Sequence, residues 1–199
     1  MTDKIREYII LISKAILAGI LIALAGVAFL NAPNKIIGSL LFSVGLIAVI
    51  ILEANLYTGK IGYVNTKKKA IDASIILIIN LLSAFIVGII YRSTIGVSTA
   101  MDSRLAKEWY RVLLDGIGCG ALIYIAVESY KRTKNLAPVI ICVMAFILAG
   151  FEHCIADIFY YGASVLTLKG FLYILLIIVG NSIGSLVVRG LQVSFRREN

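Results

Sequence analysis

Six apolar runs, each long enough to cross a lipid bilayer, follow one another with little chain between them. Their limits are about 8–30, 36–58, 70–91, 111–130, 136–160 and 168–191. Roughly 20 apolar residues span the hydrocarbon core. The pattern therefore predicts an all-α membrane protein of six transmembrane helices with almost no mass outside the bilayer. Composition agrees, with 60% of the 199 residues hydrophobic, only 15% charged and a mean hydropathy of +0.98. A soluble domain is roughly 45–50% apolar and about 25% charged, so soluble, disordered and disulfide-scaffold readings fall away. Cys119, Cys142 and Cys154 lie inside apolar runs without paired spacing and read as small buried residues. The polar start, MTDKIREY, leads into a run too long for a cleaved signal peptide.

The net charge of +8 does not point to nucleic acid, because the basic residues sit between the apolar runs and at the chain ends. With an even number of spans both termini share one side. That side carries Lys4, Arg6, Lys14, Lys60, Lys67, Lys68, Lys69, Lys131, Arg132, Lys134, Arg189, Arg196 and Arg197, thirteen in all. The other carries six: Lys35, Arg92, Arg104, Lys107, Arg111 and Lys169. Basic residues accumulate on the cytoplasmic face. The expectation is a multi-pass protein of the cell (plasma, inner) membrane with both termini cytoplasmic. The NTKKK run at 65–69 reads as a topology and lipid-headgroup patch.

An internal repeat emerges from residue spacing. Glu53 and Glu152 are 99 residues apart, Gly19 and Gly118 also 99, and Asn80 and Asn181 101. Three spans per half make the halves opposite in orientation. This is a 3+3 inverted repeat, an arrangement that puts a transport pathway between the halves. The whole chain, 1–199, is expected to form one channel domain, with halves of about 8–91 and 111–191. The oddest polar residues fall in LEANLYTGK (52–60) and GFEHCIADIFYYG (150–162), inside or at the end of apolar spans. A charge near the bilayer centre costs from roughly 3 to more than 10 kcal/mol. Such groups need a partner, a watery cavity or a pathway, and broken helices whose freed backbone lines a cavity are tolerated there.

These segments resemble the formate/nitrite transporter family, aquaporin-like pentameric channels for small monovalent anions. The resemblance is carried by GFEHCIAD (150–157), preceded by MAFILA (144–149), and by FSVGLIAVIILEANLYTG (42–59). Weaker matches are DGIGCG (115–120) and GNSIGS (180–185). The resemblance implies breaks in the second and fifth helices, His153 as the central pore histidine, and Thr58 facing it. It implies an outer aromatic constriction at Phe42 and Phe146, with hydrophobic constrictions at Leu46 and Tyr57. It also implies a homopentamer in the lipid bilayer. Three positions depart from the family pattern. Asp157 and Gly120 stand where the family has asparagines, and Arg104 stands in place of the vestibule lysine, with Lys107 one turn on.

The residues have plainer readings too. Thr58 also fits an ordinary helix end, and Phe42, Leu46, Tyr57 and Phe146 fit lipid- or helix-facing positions. His153, the only histidine, lies mid-span beside Glu152 and Asp157, where a group that binds an anion or hands it a proton suits a pathway. Asp157 is one helical turn on and pairs with it if the helix continues. Glu53 and Glu152 are expected to be structural, holding amides freed at the breaks or pairing behind the pore wall. Arg104, Lys107 and Arg111 form a basic patch, solvated or serving as an anion-drawing vestibule, and Lys14 can serve the inner vestibule by snorkelling.

No phosphate loop, metal-ligand spacing or nucleophile motif is present, so an enzyme is not expected, and neither a metal nor a cofactor. The Asn-Pro-Ala pairs of a neutral-solute channel are also missing. The expected function is a channel or transporter for a small monovalent anion, of the formate or nitrite class, passive or proton-linked. Hydrosulfide or lactate channels of the same family, and a neutral small-solute channel of aquaporin-like fold, are the alternatives.

Overall fold

The computed structural model describes residues 3–196. Arg197, counted above on the terminal side, lies outside them, as does the side chain of Arg196. The first half consists of α1 (Asp3–Leu30), α2 (Lys35–Ile51), the single turn α3 (Tyr57–Lys60) with a 3-10 turn at Ile61–Tyr63, and α4 (Lys67–Thr94). A connection containing the turn α5 (Asp102–Leu105) leads to the second half. That half comprises α6 (Trp109–Thr133), α7 (Ala137–Ala149), α8 (Cys154–Ala163) and α9 (Leu168–Arg196). No strand occurs among the described residues.

Four of these helices, α1, α4, α6 and α9, are long and apolar enough to cross a membrane. The other two spans are broken. The helices α7 and α8 meet at 53°, and α2 stops after 17 residues and resumes at α3. Local chemistry sets the ends. Asn34 caps α2 by accepting from the amides of Ile36 and Ile37 at 3.1 and 3.0 Å. Thr66 caps α4 through the Lys69 amide. Each break begins with a left-handed residue, Glu53 at φ 50° and Gly150 at φ 77°. Glycine takes that conformation without a steric penalty, so the first break is held at Glu53 by its surroundings. There the Ala54 amide donates to Val49 O and the Asn55 amide to Lys14 O.

The outward face of α4 carries Ile71, Ile78, Leu82, Ile86 and Ile90, all exposed, while Ala73, Asn80, Ser83, Ala84 and Gly88 face inward. Large aliphatics outside and small or polar residues inside reverse the pattern of a soluble helix and match one packed against neighbours in lipid. The halves interlock. In each half the first helix packs on the third, α1 on α4 and α6 on α9. The piece after each break crosses to the other half, with α8 against α4 and the α3 turn region against α9.

The repeat holds, but in a register that differs from the expected one. Asn80 Oδ1 accepts from the Tyr57 amide at 2.8 Å, and its Nδ2 donates to Ala15 O at 2.7 Å and Asn55 O at 3.0 Å. Asn181 Oδ1 accepts from the Cys154 amide at 2.9 Å, and its Nδ2 donates to Gly116 O at 2.8 Å and Glu152 O at 2.9 Å. Equivalent residues are therefore Ala15 with Gly116, Asn55 with Glu152, and the break-starting Glu53 with Gly150. Glu53 does not correspond to Glu152. The counterpart of Gly19 is Gly120 and not Gly118. A Cβ on Gly19 would lie 2.7 Å from Asn80 O, and one on Gly120 would run into the Asn181 carbonyl. The asparagine has to reach the backbone of the facing helix, and bare glycine lets the two helices come close enough.

Candidate functional site

The two breaks meet in the middle of the molecule. Leu56 precedes α3 and His153 precedes α8, so in the repeat a leucine stands opposite the histidine. His153 Nδ1 accepts the Ala156 amide at 3.2 Å, capping α8. In the neutral imidazole the proton is thus on Nε2, which lies 2.9 Å from Thr58 Oγ1 and donates to it. Both side chains are buried, at 2% and 1% exposure. The structure brings His153 and Thr58 together across 95 residues of sequence.

Aromatic rings close over this junction. Phe146 stacks on the His153 ring at 6.1 Å between centroids, and Phe42 meets Phe146 edge-on at 6.1 Å. Phe42, Phe146 and His153 form the floor of a cavity of about 400 Å³. Phe29 and Leu30 at the end of α1, Lys35, Arg104 and Lys107 line its walls. A second cavity of about 450 Å³ contains Leu46, Leu56, Lys14, Glu53 and Lys60. Lys14 precedes Phe29 on α1 by 15 residues, roughly 22 Å along the helix. The cavities therefore lie at opposite ends of the fold, the second on the side of the chain's beginning. Leu46 and Leu56, each 1% exposed, line the second cavity, and Phe42 and Phe146, also buried, line the first. Tyr57, buried next to Leu56 in the chain, lines neither cavity and pairs its hydroxyl with Ser182 Oγ at 2.8 Å.

The basic patch before α6 is not an open one. Arg104 Nε donates to Asp157 Oδ1 at 2.7 Å and to Glu152 Oε2 at 2.9 Å, with Nη1 on Ala100 O. Its guanidinium also lies over the Tyr160 ring at 4.6 Å. Lys107 Nζ donates to Asp115 at 2.7 Å, to Glu152 Oε1 at 2.5 Å and to Gly150 O at 3.0 Å. Arg111 pairs with Asp115 at 3.0 Å. Arg104 sits in α5, Lys107 in the connection and Arg111 in the first turn of α6, so no single helical face carries all three. Three buried carboxylates need three cations, and an ion in a low-dielectric interior is tolerated only when paired. Burial works against the charge on Arg104, but the Asp157 and Glu152 carboxylates outweigh it and raise its pKa. Asp115 and Glu152 do the same for Lys107.

Glu152 thus pairs behind the cavity wall, and its side chain takes up none of the amides freed at its break. Glu53 does not either, since its side chain is 81% exposed and accepts from Lys14 Nζ at 3.4 Å. Asp157 and His153 are linked through the Asp157 amide and the His153 carbonyl at 2.8 Å, while the Asp157 side chain turns to Arg104.

Reading the sequence did not single out Asp115, although a carboxylate opening an apolar span was a signal. Lys35, which donates to Leu148 O at 3.2 Å on the cavity rim, gave no such signal. The bonds made by Asn80 and Asn181 were also unread, though their matched spacing was on view. Among the described residues no cluster of His, Cys, Asp and Glu has the makings of a metal site. The three cysteines are buried and free.

A family model described as "Formate/nitrite transporter" matches residues 3–195. The chain is 28% identical over 186 residues to the uncharacterized transporter YrhG of Bacillus subtilis (strain 168), covering 79% of this chain and 70% of that one. It is 26% identical over 187 residues to the formate channel FocA of Haemophilus influenzae, covering 77% and 66%. The chain thus spans about two thirds of the length of these relatives. Among solved structures, a pentameric formate channel with formate bound superposes with a TM-score of 0.84 at 21% identity over the whole of both chains. An FNT family ion channel superposes at 0.79 with 19% identity, over 98% of this chain and 91% of that one. The two structures share the aquaporin-like channel fold with this chain.

Proposed function

The chain belongs to the formate/nitrite transporter family, and from that premise we propose that it carries a small monovalent anion of the formate or nitrite class across the membrane, passively or with a proton. The observation that carries the reading is the Thr58–His153 contact of 2.9 Å between two cavities that open at opposite ends of the fold. A bare anion at mid-membrane meets a barrier of several kcal/mol. Two polar groups stand where the aromatic and leucine constrictions have stripped the anion's water, and both can donate to it. His153 offers its Nε2 proton and Thr58 its hydroxyl. A His153 protonated at both nitrogens, with the Ala156 amide released from Nδ1, can alternatively pass its Nε2 proton to the anion, leaving a neutral weak acid to cross the dry stretch and a neutral imidazole to recover a proton from water.

Each chain then forms one pore unit, and five chains assemble in the plasma membrane with both termini cytoplasmic. Arg104 and Lys107 act at the outer mouth as the paired wall of the cavity. Lys14 acts at the inner mouth beside Glu53.

The test is uptake of formate, nitrite, hydrosulfide and lactate into proteoliposomes of the purified protein, each at pH 5.5 and pH 7.5. Formate or nitrite is expected to cross at least ten times faster than into protein-free vesicles, with lactate slower because the Phe42–Phe146 pair admits few additional atoms. Rates equal to those of empty vesicles for all four anions would overturn the reading. Fast passage of lactate or hydrosulfide alone would move the assignment to that anion.

A further inference from the structure

The cations at the two mouths are not equally compensated. Around the cavity beside His153, Arg104, Lys107 and Arg111 are matched one for one by Asp157, Glu152 and Asp115. Of the charged side chains lining that cavity only Lys35 remains in excess. The cavity on the terminal side is lined by Lys14, Lys60, Lys131 and Lys134 against the single carboxylate of Glu53, which Lys14 engages. No ion pair joins Lys60, Lys131 or Lys134 to a carboxylate among the described residues. Lys131 rests its ammonium on the Tyr63 ring, 3.3 Å from the centroid, and Lys134 lies 5.5 Å from that of Tyr130. The nearby acid, Glu128, is taken up by Tyr63, Arg132 and Gln192.

We infer that the terminal-side cavity is the main anion-holding vestibule of this channel, a low-affinity site built by Lys60, Lys131 and Lys134, and that the opposite mouth, its cations matched except for Lys35, holds the anion about fivefold more weakly. The inference rests on the proposed transport of a small monovalent anion and adds to it an asymmetry that the repeat does not contain. Equivalent helices frame both cavities, but acids match every base except Lys35 at one end and only one lysine of four at the other. Three uncompensated charges against one, acting over roughly 8 Å through water, favour anion occupancy on the order of five-fold at low ionic strength.

The consequence is specific because a passive channel must obey detailed balance. At low concentration and zero voltage the permeability is the same in both directions, whatever the vestibules hold. The asymmetry appears at saturation. Anion presented to the lysine side should half-saturate the flux at about a fivefold lower concentration, and reach a correspondingly lower maximum, than anion presented to the Arg104 side.

The experiment is one-sided formate flux in vesicles of uniform protein orientation, with formate varied from below to above half-saturation on either side. In 10 mM salt the two half-saturating concentrations are expected to differ about fivefold. In 1 M of an impermeant salt, where screening acts within about 3 Å, the difference should collapse. The variant Lys60→Gln/Lys131→Gln should bring the two half-saturating concentrations together at low salt. Measurable flux with equal half-saturation from both sides overturns the asymmetry and leaves the transport reading standing. So does a difference that survives both high salt and the double variant. Absence of flux from either side overturns the transport reading and the asymmetry with it.

Discussion

Replacing Asn181 with alanine is expected to lower the midpoint of thermal unfolding of the detergent-solubilised protein by about 6–12 °C. The side chain serves the Cys154 amide and the carbonyls of Gly116 and Glu152. All three are backbone groups in the buried interior, and two belong to a break that has no helical partners to offer. Side-chain hydrogen bonds between intact membrane helices average only about 0.6 kcal/mol. The larger scale applies here, because freed backbone groups at membrane depth find no water and each orphaned group costs about 1–3 kcal/mol. Two such losses, with the lesser loss of the bond to the Gly116 carbonyl inside α6, come to about 3 kcal/mol or more, and a chain of this length shifts about 2–4 °C per kcal/mol. Asn80→Ala should behave alike, since Asn80 makes the matching bonds to Tyr57, Ala15 and Asn55. Wild-type unfolding midpoints in both variants would mean that the asparagines do not hold the breaks.

Arg104→Gln should cost a similar or larger amount. One guanidinium answers Asp157, which is wholly buried, and half of Glu152. Removing one partner from a buried ion pair typically costs about 3–5 kcal/mol because the remaining charge stays uncompensated. Glu152 keeps Lys107, so the deficit should fall mainly on Asp157. That makes the double variant informative. Arg104→Gln/Asp157→Asn should unfold at a higher temperature than Arg104→Gln alone, giving a coupling energy of the sign a direct contact requires. Additive losses in the two variants would show that the pair does not act as a unit. Two of the three positions that depart from the family pattern, Asp157 and Arg104, are bonded to each other. The third, Gly120, has no room for a side chain beside Asn181.

The apolar runs placed all six spans to within a few residues, because a bilayer demands length and apolarity and little else. The breaks themselves came from the family resemblance; the polar Glu53, Asn55, Glu152 and His153 marked only where an uninterrupted span would be costly. The register of the repeat was not legible. Glu53 and Glu152 match by residue type, but backbone conformation pairs Glu53 with Gly150, and φ cannot be read from a letter. Nor does the sequence say which basic residues turn inward. The connection at 95–108 has no hydrophobic period, and only the buried carboxylates it folds against explain why Arg104 and Lys107 leave the water. The lysines of the terminal-side cavity come from α1, the α3 turn and the end of α6, which spacing alone does not bring together.

The central claim, that the anion crosses at His153, is tested most directly by formate flux through His153→Ala in proteoliposomes between pH 5 and pH 8, beside the wild type. The account predicts that wild-type flux rises several-fold as the pH falls over this range, because more protons reach the anion on its way through the constrictions. In the variant, which keeps its cavities but has no group at the junction to give or take a proton, flux is expected to be at least ten-fold altered in rate and nearly flat with pH. A variant with the wild-type rate and the wild-type pH profile would contradict the account.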